Sequence, residues 1–115
     1  MLGNHHADGR LEPSVACPDL GVGACISEAM QFNGNRISTG DILFLQREAF
    51  LVRGCAQIDG KFAIISQRCT LVDRVTSLAS RYTCSEELGV QTLPQSILFA
   101  TNWAFDELGA VIVEP

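Results

Sequence analysis

The sequence predicts a mainly β (α+β) fold: a five- to six-stranded curved antiparallel sheet, or a small barrel, with one covering helix near 71–82. Three observations predict it. Asp59-Gly60 separates two β-prone runs, the strongest short-range hairpin signal. The apolar run Ile42-Leu43-Phe44-Leu45 has the length and turn-bounded setting of a buried strand. Large side chains alternate from Ile97 to Phe105 before a glycine-containing turn and a final apolar run. The 115 residues suit one domain. A composition of 47% hydrophobic against 18% charged residues excludes a disordered polyampholyte.

Residues 1–24 carry scattered Gly and Pro with little periodicity and read as an irregular N-terminal arm, leaving 25–115 as a single β-rich domain. Cys25–Phe32 alternates weakly, with Ile26, Glu28, Met30 and Phe32 on one side, and Asn33-Gly34-Asn35 is a turn. Gln46–Ala49 breaks the apolar run, and Phe50–Ile58 and Lys61–Cys69 follow as hairpin arms. A two-residue turn sets Ile58 opposite Lys61, Ala56 opposite Ala63, Arg53 opposite Ser66 and Leu51 opposite Arg68. One face then shows Val52, Gly54, Ala56, Ala63 and Ile65. The other shows Leu51, Cys55, Phe62 and Ile64 with Arg53 and Arg68. Both faces are apolar, so the second is expected to lie under a helix, another sheet or another subunit.

Thr70-Leu71-Val72-Asp73 fits a capping box, and Val72, Val75, Leu78 (or Ala79) and Tyr82 recur at helical spacing. This spacing predicts the helix over 71–82, against the β-branched Val72, Val75 and Thr76. Ser85–Gly89 reads as a short helical turn ending at Gly89. Ile97, Phe99, Thr101, Trp103 and Phe105 share one face of a strand, Asp106–Gly109 turns, and Ala110–Val113 returns beside it; a helix over 96–108 is the competing reading. Gly40-Asp41-Ile42-Leu43 ahead of a hairpin resembles the openings of SH3-like barrels, which implies the barrel form of the fold.

The functional reading begins with what is missing. The five cysteines contain no C-x-x-C pair, so no zinc knuckle or thioredoxin-like site is written here. The two histidines, His5 and His6, lie in the arm, where no rigidly held imidazole is expected to serve a Ser or Cys nucleophile. A zinc site from His5, His6, Cys17 and Cys25 is the sharper reading; a polar terminus plus buried thiols acting as small hydrophobes is the plainer one. Gly34–Gly40 lacks the Gly-Lys-Ser/Thr ending of a phosphate loop. Adjacent acids at Glu86-Glu87 and Asp106-Glu107 do not make facing catalytic carboxylates. Catalytic residues, metal ligands and cofactors are therefore expected to be none, and the protein is not expected to be an enzyme.

Charge is unevenly spread. Residues 31–84 carry seven cations against four acids, whereas 85–115 carry five acids and no cation. The plain expectation is that these segments pair across the fold. The sharper one is an anion-binding patch of Arg53, Arg68, Arg74 and Arg81. With Arg53 and Arg68 as diagonal neighbours, a carboxylate between them is expected, drawn from 85–115. The overall charge of −5 disfavours nucleic acid without excluding it. With no apolar run of membrane-spanning length and no signal-peptide pattern at Met1–Asp8, the chain is expected in the cytoplasm, with reduced thiols and no membrane. The leading functional expectation is a small non-enzymatic binding and assembly domain that self-associates as a homodimer. The alternative is a module for a small anionic ligand, an acidic partner or nucleic acid.

Overall fold

The computed structural model describes residues 25–115, with the side chain of Cys25 left out; the expected arm over 1–24 lies outside them. Eleven strands are present, and no helix occurs among the described residues. They are β1 (Cys25–Ser27), β2 (Ala29–Phe32), β3 (Asn35–Ser38), β4 (Ile42–Leu45), β5 (Glu48–Ile58), β6 (Lys61–Arg74), β7 (Ala79–Cys84), β8 (Gly89–Thr92), β9 (Leu98–Phe99), β10 (Asn102–Asp106) and β11 (Gly109–Val113).

Nine strands form one open antiparallel sheet in the order β10-β11-β7-β6-β5-β4-β9, with β1 also on β5 and β8 also on β6. The strand number exceeds the expected five or six because single sequence runs are cut by turns and irregularities. Cys25–Phe32 breaks at Glu28 into β1 and β2, which pair with different partners. The run 97–105 breaks at Ala100-Thr101, so β9 pairs with β4 and β10 with β11.

The hairpin of β5 and β6 is the centre. Asp59 (φ 52°) and Gly60 (φ 77°) both occupy the left-handed region, the type I′ geometry whose twist matches the flanking strands, and Ile58 faces Lys61. Gln46 (φ 53°) and Arg47 (φ 70°) repeat this geometry between β4 and β5 without any glycine.

The register departs from the expected one midway. A bulge at Arg53 moves the pairing by one residue, so Val52 faces Ser66 and Phe50 faces Arg68. It falls where the other edge of β5 changes partner, from β4 at Ile42↔Leu51 to β1 at Ser27↔Cys55. Gly54 follows at once, and a Cβ there would sit 2.8 Å from the Ile26 side chain. Val52 and Cys55, expected on opposite faces, consequently join one cluster, while Leu51 joins the other.

Both faces of the sheet are covered by the chain itself. On one, the β2–β3 hairpin delivers Met30 and Ile37 onto Leu43, Phe50, Val52, Cys55 and Ile64. On the other, Ile42, Ala49, Leu51, Cys69, Tyr82, Ala110 and Ile112 pack together. The two-stranded β2–β3 sheet therefore covers one hairpin face, and the other packs among residues of β4, β7 and β11 of its own sheet.

The helix expected over 71–82 is replaced by the end of β6, a turn, and β7. Leu71 faces Tyr82 and Arg74 faces Ser80, with a second bulge at Val72. The β-branched Val72, Val75 and Thr76 favour extended backbone. The Thr76 hydroxyl accepts hydrogen bonds from the backbone N–H groups of Leu78 and Ala79, making Thr76 a turn residue rather than a helical one. Ser85–Gly89 is likewise not helical, and Gly89 opens β8. The competing helix over 96–108 is replaced by β9 and β10.

Candidate functional site: a groove beside an unpaired strand edge

The pairing of β5 with β6 ends at Ala49↔Cys69, yet β6 runs on to Arg74. From Thr70 onward β6 is bonded only to β7. Its other edge faces the left-handed turn Gln46-Arg47, and the gap between them is a groove of about 770 Å³. Phe44, Ala49, Cys69, Leu71, Tyr82 and Leu98 supply apolar surface; Arg47, Glu48, Arg68, Arg74 and Glu114 supply charge. Leu71 is 49% exposed and Leu98 60%.

The charged groups are partly matched. Arg68 pairs with Glu48 at 3.0 Å, and its guanidinium lies 5.7 Å from the centre of the Phe50 ring. Arg74 lies 4.0 Å from Glu114. Glu114 also accepts a 2.7 Å hydrogen bond from the Tyr82 hydroxyl. Burial first, and then that bond, pushes the Tyr82 hydroxyl up to about 12. Burial, and then the thiol of Cys84 beside it, pushes Cys69 above the ordinary thiol range. Both shifts favour the neutral form. Neither of these two groups is an activated base or nucleophile near neutral pH.

Of the four arginines singled out from the sequence, the groove brings together two, Arg68 and Arg74. Arg53 is the exposed residue of the bulge, outside the groove. Arg81 turns to Asp106, donating to both carboxylate oxygens at 2.6 and 2.8 Å. That bond holds Asp106 below the usual carboxylate range, helped by the N–H of Leu108. Arg74 and Arg81 thus join the basic middle to the acidic end, as the charge distribution suggested. Arg68 does not: its carboxylate is Glu48 of its own hairpin, because the bulge separates Arg68 from Arg53 and sets it beside the start of β5.

Arg47, Leu71, Tyr82 and Leu98 were not singled out from the sequence. The one usable signal was the length mismatch between hairpin arms, which the helix reading of 71–82 hid. Gly34–Gly40 forms the turn into β3 and the turn after it. Glu86 and Glu87 are exposed loop residues. The zinc candidate, His5, His6 and Cys17 with the Cys25 side chain, lies outside what is described. Among the described residues no group of three or more His, Cys, Asp or Glu side chains is placed to hold a metal ion, and no helix is long and apolar enough to cross a membrane. Neither family models, nor curated proteins, nor solved structures match this chain.

Proposed function

We propose that this protein is a non-enzymatic binding and assembly domain of the cytoplasm that self-associates as a two-fold dimer through the groove and the free edge of β6. The observation that carries this reading is the strand edge left open from Thr70 to Arg74 beside exposed Leu71 and Leu98. An unpaired strand edge is a template for another strand; the bulge at Val72 and the charges of Asp73 and Arg74 confine that template to its start, Thr70 and Leu71, beside the groove. The groove carries both signs, Arg47, Arg68 and Arg74 against Glu48 and Glu114, which suits a surface that meets a copy of itself across a two-fold axis. The same mixture speaks against a polyanion, for which a run of unmatched cations is the better design.

Light scattering at micromolar concentration tests the proposal. A dimeric mass is expected, and Leu71→Asp with Leu98→Asp should give a folded monomer, since both side chains are exposed in the single chain. A monomeric wild type overturns it, as does a dimer that survives both substitutions. Salt-dependent binding of a nucleic acid by a monomer, weakened by Arg68→Gln or Arg74→Gln, would support the anion-binding alternative instead.

A further inference from the structure

Cys69 of β6 stands directly opposite Cys84 of β7, and the two Sγ atoms are 2.8 Å apart. The N–H of Ser85 donates to the carbonyl of Arg68, one step along the ladder. The cysteines therefore occupy a non-hydrogen-bonded pair of the antiparallel ladder, where the Cα atoms approach to about 4.5 Å and the side chains lie closest. That separation falls inside the range a disulfide spans, about 4.4–6.8 Å. The two thiols differ in access: Cys69 is buried, and Cys84 is half-buried.

From this geometry we infer that Cys69 and Cys84 form an oxidisable dithiol, a modification site that a hydroperoxide converts to a cross-strand disulfide. Cys84, the more accessible sulfur, attacks the peroxide; the O–O bond breaks, Cys84 becomes a sulfenic acid, and water (or an alcohol) leaves. The Cys69 sulfur then displaces the sulfenic oxygen, the S–S bond forms, and a second water carries away both the oxygen and the Cys69 proton. Two thiols lose two electrons and the peroxide gains two. The Cys55 thiol is fully buried and donates to the carbonyl of Ile37. The bridge ties β6 to β7 at the base of the ribbon that borders the groove, closing a loop over the 75–78 turn.

The test uses the full reduced chain and hydrogen peroxide at equimolar dose, followed by alkylation in denaturant and tryptic mapping without reduction. Cleavage after Arg68, Arg74 and Arg81 puts the cysteines on separate peptides, 69–74 and 82–115. The expected product is these two peptides linked, two hydrogens lighter than their sum. Oxidation should raise the melting temperature by roughly 5–10 °C, reversibly with a dithiol reductant, because the bridge restricts the unfolded chain. In Cys69→Ala the sulfenic acid should persist on Cys84 and be trapped by a dimedone probe; in Cys84→Ser peroxide consumption by this pair should be lost. Linkage of either cysteine to a different one, or oxygen accumulating on Cys84 of the wild type with no 69–84 link, overturns the inference. The wild-type map decides the question even if a variant fails to fold.

Discussion

The two halves of β6 have much the same kind of sequence and opposite surroundings. Ala63 to Ser66 lies between β5 on one edge and β8 on the other, and all four residues are buried. Thr70 to Arg74 keeps a strand on one side only, and every residue from Thr70 to Leu78 is exposed, including Leu71, Val72, Val75 and Leu78. Apolar spacing therefore reports which side chains can share a face. Whether anything covers that face is decided by partners far away in the chain. The first half has the β2–β3 hairpin and the other core to pack against; the second has outrun β5.

Substitutions can break this contrast. The largest effect is expected for Ile64→Ala, which empties a fully buried site in the cluster beneath β2–β3 and should cost about 2–5 kcal/mol by denaturant unfolding. Val72→Ala on the same strand should stay within about 0.5 kcal/mol. Equal losses would mean that the second half is covered in solution.

Ser80 sharpens the contrast from the β7 side. It is fully buried, and its hydroxyl has no hydrogen-bond partner among the described residues. Deleting an unsatisfied hydroxyl removes its desolvation cost, so Ser80→Ala should be neutral or stabilising by up to roughly 1 kcal/mol in chemical denaturation.

Smaller still is the turn at the groove. Arg47 holds φ at 70° without being glycine. Arg47→Gly relieves that strain and should raise stability by roughly 0.5–1 kcal/mol, read as a rise of a few degrees in melting temperature.

The smallest effect is a titration. Tyr82 is the single tyrosine, so tyrosinate absorbance reports it alone. Its midpoint should stand at about 12, raised by burial and by Glu114. Because the folded value lies above the unfolded one near 10, the associated stability is present below pH 10 and is lost as pH rises towards 12. Glu114→Gln should lower the midpoint by removing the nearby negative charge.

Much of the sheet was legible. The Asp59-Gly60 hairpin, the strand Ile42–Leu45 and the return of Ala110–Val113 follow from local turn chemistry and alternation, which act within a few residues. The errors share a cause in distant pairing. The bulge at Arg53 answers a change of neighbour from β4 to β1, and no local pattern encodes it. Val72, Val75 and Leu78 satisfied a helical period by coincidence, and the β-branched composition was the better guide. The groove was invisible for the same reason: it is bordered by a turn near 46, a strand near 71 and Leu98, which only the complete topology assembles.

The order of the sheet has a kinetic consequence. Its outermost members, β9 and β10, are separated by Ala100 and Thr101, whose N–H groups donate to Ile42 and Val113 respectively. One short stretch thus ties together the two far margins of the sheet, matching residues 43–44 with 98–99. Contacts so distant along the chain are expensive to close before the intervening strands are in place. The β4–β9 junction is therefore expected to form after the rate-limiting barrier to folding. Weakening it, for example by Phe99→Ala, should accelerate unfolding and leave the refolding rate nearly unchanged. Release of that segment parts the C-terminal strands from β4 while β10 and β11 stay bonded through β7 to the central hairpin.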